Sequence, residues 1–265
     1  MIYQEIEHRE QLLHGKTFIS TRPAGKSEEF GKCLKVHGAA LIEMPMIEIH
    51  PALITEQEEE LLKHTGEFDW IVFTSANGIT HFFEHLKHIT GSYSLSENTK
   101  IAVIGKKTVS GLNTFGVQAQ YINKGSTSDD FSTELRELFK KGTTKVLLPV
   151  GNLAGENIEL KLKNIANVAR VNVYKTEMPQ TINMEALKWI ADNNYEMIIF
   201  TSPSGFINFQ LTAGDSINLK TLRIACIGST TAEAIKETGC SPLVVSNSMN
   251  SQGIVDAILV HYKNR

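Results

Sequence analysis

Short apolar runs alternate with amphipathic stretches along almost the whole chain. The runs are "KTFIST", "AALIEM", "DWIVFTS", "KIAVIG", "AQYIN", "KVLLPV", "ARVNVY", "YEMIIFTS", "RIACIG" and "PLVVS". Continuous apolar runs of this length suit strands buried on both faces. The helical stretches between them predict parallel strands covered by helices on either side. The expected class is α/β.

The pattern also repeats. "FTSANGITHFF" begins at Phe73 and "FTSPSGFINFQ" at Phe200; "IAVIGKKT" pairs with "IACIGSTT", with Gly105 and Gly228 in equivalent places. "STSDDFSTEL" from Ser126 matches "NSQGIVDAIL" from Asn250 in position. Two copies of one α/β unit are therefore expected. The second copy lacks two strands, while two strands precede the first copy and two more follow it. If the N-terminal pair completes the second copy, each domain has five strands. The outer domain is then discontinuous, residues 1–46 plus 176–265, with residues 47–175 inserted. Two crossings follow, near "PMIEIHP" and "YKTEMPQ", whose prolines suit extended linkers. Two domains in simple tandem are the competing arrangement.

Length allows this division, since 265 residues exceed the usual single-domain size. Net charge is −3, which argues against a broad nucleic-acid surface but permits a local basic pocket. Three cysteines in no metal-ligand spacing suit a reducing cytoplasm with free thiols. The start lacks an apolar signal core, and no apolar run approaches the ~18 residues of a membrane helix.

In open parallel sheets, ligands bind beyond the carboxyl ends of the strands. That rule selects Arg22, Ser75, Asn77, Thr108, Ser126, Gly151, Ser202, Ser204, Thr230 and Thr231. They are mostly hydroxyl, amide and glycine positions at expected helix N-termini, where unpaired N–H groups attract anions. Each also has a plain structural reading. Serine or threonine after a strand is commonly a helix cap, and Gly105 and Gly228 suit tight turns. "GKKT" and "GSTT" lack phosphate-loop spacing, and no G-x-G-x-x-G follows a strand. Arg22 could fork onto a carboxylate or be an ordinary surface arginine. Tyr174, at a strand end near the second crossing, could donate a proton or be a half-buried strand tyrosine. His81, His85 and His88 share a helical face opposite Ile79, Phe82, Phe83 and Leu86 and are expected to form a solvated stripe. Thr55 and Glu58 form a capping-box pattern. No Ser-His-Asp set, Cys-His set or carboxylate pair points to hydrolysis.

The ordered set "FISTRP", "WIVFTSANGI", "IAVIGKKT", "LLPVGN", "VNVYKTE", "IIFTSPSG" and "IACIGSTTAEA" resembles the uroporphyrinogen-III synthase family, from about Lys16 onward. The resemblance implies two flavodoxin-like or Rossmann-like parallel-sheet domains, the second inserted into the first and joined by a two-stranded linker around a cleft. It implies dehydrating cyclisation of linear hydroxymethylbilane, with the last ring inverted through a spiro intermediate, using no cofactor and no metal. Tyr174 then corresponds to a tyrosine assisting hydroxyl departure. Thr108, Thr231, Ser75 and Ser202 correspond to cleft hydroxyls, and Arg22 to the arginine after the first strand. Ala76-Asn77 against Pro203-Ser204 departs from strict repetition, and the first fifteen residues match nothing in the family. A cytoplasmic monomer is the expectation. Two rivals are a sugar-nucleotide enzyme, whose ribose-binding acid and diphosphate loop are not visible, and a two-lobed anion-binding or regulatory module without catalysis.

Overall fold

The computed structural model describes residues 12–125, 127–139 and 142–264, apart from the side chains of residues 106 and 107. Ser126 therefore lies outside the described residues, as does the N-terminal extension up to residue 11. Contacts divide the chain into an outer unit, reaching Glu48 and resuming at Glu177, and an inserted unit, Ile49–Thr176.

The outer unit holds strands β1 (Thr17–Ser20), β2 (Ala40–Glu43), β9 (Met197–Phe200), β10 (Ile224–Ile227) and β11 (Val244–Ser246). They form one sheet in the order β11-β10-β9-β1-β2, with every neighbouring pair parallel. Its helices are α1 (Glu28–Val36), α7 (Met184–Ala191), α8 (Pro203–Ala213), α9 (Gly228–Glu237) and α10 (Ser251–Lys263). Side chains alternate across a strand, so a run buried throughout must feed two cores. In β9, Ile198 and Phe200 enter one cluster with Phe206 and Phe209, while Met197 and Ile199 enter another with Phe30 and Ile258. Leu13, from the otherwise unmatched N-terminal stretch, is fully buried in the second cluster.

The inserted unit holds β3 (Glu48–Pro51), β4 (Trp70–Phe73), β5 (Lys100–Val103), β6 (Tyr121–Ile122), β7 (Thr144–Gly151) and β8 (Ala166–Glu177). Their order is β3-β8-β7-β4-β5-β6, and the β8/β7, β7/β4, β4/β5 and β5/β6 pairs are parallel. Its helices are α2 (Glu56–Lys63), α3 (Ala76–Thr90), α4 (Gly105–Asn113), α5 (Ser128–Leu138) and α6 (Asn157–Leu162). Here β4 splits its side chains, Ile71 and Phe73 to one face and Trp70 and Val72 to the other. The two crossings, expected as extended linkers, are strands. The first is β3, a sixth strand at the sheet edge, and the second is the long tail of β8. The prolines fit because Pro51 ends β3 and Pro179 lies past β8.

The repeated corners share one cap geometry. Ser75 and Ser202 are the N-caps of α3 and α8, with φ/ψ of −154°/154° and −154°/152°. Each hydroxyl accepts the third helical N–H, from Gly78 at 2.9 Å and from Gly205 at 3.1 Å. The second pair of corners works without a side-chain cap. Gly105 and Gly228 open α4 and α9 with φ of +71° and +76°, a turn that a side-chain-bearing residue makes only under strain. Thr55 and Glu58 do form a capping box at the start of α2.

Candidate active site

The carboxyl ends of the strands form one rim on each unit, and the two rims differ in how far their polar groups are already engaged. On the inserted unit the rim centres on Tyr174. Gly151 closes β7 as the register partner of Tyr174, after a shift in which Val150 pairs with Asn172. Val173 is thus an extra residue on β8, and such bulges commonly re-aim a side chain beside a functional site. Its carbonyl accepts two bonds, from the Ala52 N–H at 3.1 Å and from His85 Nε2 at 3.0 Å. A carbonyl only accepts, so Nε2 carries the proton of the His85 ring.

The Tyr174 ring lies across Gly151. A β-carbon there would fall 2.5 Å from Cε2 and Cζ and 2.9 Å from the phenol oxygen. No side chain fits at that position while the ring stays. The phenol oxygen is 3.4 Å from Ser75 Oγ, a long bond in which either oxygen can donate. The Ser75 cap bond is shorter, so the hydroxyl is held by its helix first. Asn152 completes the clasp. Its N–H donates to the Tyr174 carbonyl at 3.2 Å, and its side-chain amide bonds both backbone groups of Thr176.

His81 is half-buried and stacks on Tyr174, ring centroids 5.7 Å apart and planes inclined by 28°. Burial lowers its pKa, and nearby His85 and His50 push the same way against an opposing effect of Glu84. The expected solvated stripe therefore does not exist as such: His81 and His85 pack onto β8, and only His88 is exposed. The reason is the twelve-residue length of β8, which carries its end beneath the first turns of α3.

Arg170 carries no signal in the sequence patterns above. Its guanidinium donates to Glu159 at 2.7 Å, to the Ala154 carbonyl at 2.9 Å and to the Gly151 carbonyl at 3.3 Å. It shapes the loop that presents Gly151. An arginine inside a strand is a faint signal at most, because its partners lie on a loop whose path the sequence does not reveal.

Elsewhere on this rim, donors are already used. Glu134 accepts the N–H groups of Lys124 and Gly125 and the Tyr121 phenol, whose pKa burial and that carboxylate push up to about 12. Asn123 accepts the Gly105 N–H at 2.7 Å. A substrate carboxylate would have to displace these partners. Asn77 stands at the second position of α3, half-buried, and Thr108 is 6% exposed.

On the outer unit, Arg22 follows β1 and its Nη1 donates to Ser251 Oγ at 3.1 Å and to the Lys26 carbonyl at 3.3 Å. Ser251 in turn donates to Glu29. Burial lowers the Arg22 pKa, with Glu29 acting in the opposite direction, but a guanidinium stays charged at any physiological pH. Arg22 thus ties the start of α10 to the first strand as well as carrying charge at the rim. Ser202 and Ser204 hydroxyls lie 3.1 Å apart. Pro203 between them has no N–H, so the start of α8 presents one donor fewer than α3. Thr230 is exposed with its neighbour Ser229, whereas Thr231 is 3% exposed. The helical turn after Gly228 puts Ser229 and Thr230 outward and rotates Thr231 inward, which simple proximity to the strand end does not distinguish. Cys33, Cys226 and Cys240 are free thiols, and among the described residues no helix is long and apolar enough to cross a membrane.

The family model described as "Uroporphyrinogen-III synthase HemD" matches residues 28–256. The uroporphyrinogen-III synthase of Synechococcus elongatus is 32% identical over 238 residues, covering 86% of this chain and 88% of that one. That of Chlorobaculum parvum is 25% identical over 245 residues, covering 92% and 98%. Among solved structures, a mutant uroporphyrinogen III synthase from Thermus thermophilus aligns with a TM-score of 0.64 at 13% identity, covering 95% of this chain and all of that one. Uroporphyrinogen-III synthetase from Helicobacter pylori aligns at 0.57 and 15% identity, covering 92% and 99%. At these identities the structural likeness speaks for the fold, and the family rests on the sequence matches. With a model match over most of its length and a relative at 32% identity, the chain belongs to the uroporphyrinogen-III synthase family.

Proposed function

We propose that the chain closes linear hydroxymethylbilane to uroporphyrinogen III, with the Tyr174 phenol giving its proton to the departing hydroxyl. The observation that carries this reading is the placement of Tyr174 across Gly151 and beside Ser75, at the carboxyl ends of β7, β8 and β4. If Ser75 Oγ donates to the phenol oxygen, the phenol proton is left pointing away, available to the substrate.

The reaction asks little of acid–base chemistry. The terminal pyrrole pushes out its hydroxyl, the Tyr174 proton converts that hydroxyl to water, and the C–O bond breaks. Ring closure through the spiro carbon and inversion of the last ring follow. The proton shed as that pyrrole regains aromaticity restores the phenol, so the net change is loss of water with no redox step. Spontaneous closure gives the uninverted isomer, so the protein's task is chiefly to hold one shape of a flexible polyanion. The donors available for its carboxylates are the opening N–H groups of α3 and α8, the exposed hydroxyls Ser229 and Thr230, and Arg22. Of these donors, the opening N–H groups of α3 belong to the inserted unit and the others to the outer one, where Pro203 removes one N–H from the start of α8. We read the chain as a monomer of a reducing cytoplasm, a compartment that its three free thiols suit.

The test is to mix the purified chain with freshly made hydroxymethylbilane and resolve the product isomers. Isomer III supports the reading; isomer I alone returns the chain to the binding-module alternative.

A further inference from the structure

We infer that His81 is a positioning residue, its imidazole holding the Tyr174 ring in the orientation that aims the phenol. The inference rests on the reading of Tyr174 as proton donor and adds a residue that neither motif nor strand-end position marks.

Three observations carry it. The His81 ring stacks on the Tyr174 ring at 5.7 Å and 28°, within the range of favourable offset pairs. The helix that bears His81 is fastened to the same strand one turn on, where His85 donates to the carbonyl of Val173. On its other side the ring lies against the backbone of Gly151, where a β-carbon would fall 2.5 Å from its carbons. Backbone contact at Gly151 sets how close the ring lies to β7 but offers no side chain to stop it swinging about χ1. The stack with His81 supplies that restraint. The surroundings also keep the imidazole neutral, since burial, His85 and His50 disfavour its charge and Glu84 alone favours it. A neutral ring stacks on the phenol ring without placing a positive charge beside it.

The experiment compares His81→Ala and His81→Phe in the full chain, each alone and with Tyr174→Phe, using hydroxymethylbilane turnover and the spectrum of ring-¹³C-labelled tyrosine. The Tyr174 signal is identified by its disappearance in Tyr174→Phe. Loss of the stack in His81→Ala should move the Tyr174 signal and lower kcat roughly ten- to a hundredfold with KM within about twofold, the scale of a misplaced catalytic group. His81→Phe, which keeps an aromatic partner, should restore both, and in the Tyr174→Phe background His81→Ala should change kcat less than about twofold. An unmoved Tyr174 signal in His81→Ala, or an equal loss of kcat in both backgrounds, would overturn the inference. Full turnover by Tyr174→Phe would contradict the proton-donor reading alone, and the position of the Tyr174 signal would still decide whether His81 holds the ring. Should His81→Ala fail to fold, His81→Gln removes the aromatic partner while keeping a polar side chain, and the same outcomes apply.

Discussion

The phenol oxygen of Tyr174 stands 3.4 Å from Ser75 Oγ, so the cap of α3 and the end of β8 meet at one point of the inserted unit. Among the described residues, the equivalent cap on the outer unit, Ser202, bonds to Gly205 of its own helix and to Ser204. Two corners with matched cap geometry therefore have different surroundings. Replacing either serine by alanine should cost about 1 kcal/mol of stability, the usual worth of an N-cap. Only Ser75→Ala should also lower kcat, by about three- to tenfold, the equivalent of one hydrogen bond of roughly 0.5–1.5 kcal/mol. Chemical denaturation and steady-state turnover of the two variants check this, and equal kinetic effects would contradict it.

Tyr174→Phe keeps the ring and removes the proton. It should lower kcat by about a hundredfold or more, as loss of a general acid does, while KM changes little. Turnover within about twofold of the parent would rule out an essential role for the phenol.

Gly151→Ala tests the same geometry from the opposite side. The new methyl would fall 2.5 Å from two ring carbons, closer than any real contact, so the ring must swing away. Overpacking of this kind costs about 1–3 kcal/mol. Turnover should fall to near that of Tyr174→Phe, and adding Tyr174→Phe to it should lower kcat little further. A fully active Gly151→Ala would show that the ring's place over β7 does not matter.

Legibility in the sequence differs sharply between elements. The α/β class and the inserted layout follow from strand counting, because a parallel strand buried on both faces has few disguises. The corners are legible as caps for the same local reason: Ser75 and Ser202 act on N–H groups three residues away. Tyr174 stands out by position, but its clasp does not. The clasp depends on a one-residue bulge at Val173 and on Arg170 reaching a loop, and neither leaves a periodic trace. His81 is misplaced by helical periodicity, which sorts the faces of α3 without saying that β8 extends beneath the supposed outer face. The burial of Thr108 and Thr231 is not legible for a complementary reason, since nearness to a strand end does not tell which way the next helical turn points.

Arg22→Ala should raise KM more than it lowers kcat, because a grip on carboxylates is shared by ground and transition states. A stability cost comes with it. Arg22 also bonds Ser251 and the Lys26 carbonyl, and losing these should destabilise the outer unit by about 1–3 kcal/mol. An unchanged KM would sink its assignment to substrate.

His81 sets a pH dependence. Its pKa is depressed in the folded chain, so the unfolded chain binds the proton first on acidification. The stability tied to its neutral form is complete above the unfolded value of about 6.5 and is lost as pH falls below it. The groups acting on it are Glu84 and His85 from its own helix, His50 from β3 and Tyr174 from β8. Between pH 7 and 5 the parent should lose more stability in urea than His81→Phe. Parallel losses would mean that His81 is not neutralised by its site.

The central claim is that the chain directs closure of hydroxymethylbilane rather than merely binding an anion. Incubating the purified chain with fresh hydroxymethylbilane, oxidising the products and separating the isomers measures this directly. Uroporphyrinogen III should form in excess over the spontaneous isomer I, with the excess lost in Tyr174→Phe. Isomer I alone, at the rate of closure without protein, would contradict the claim.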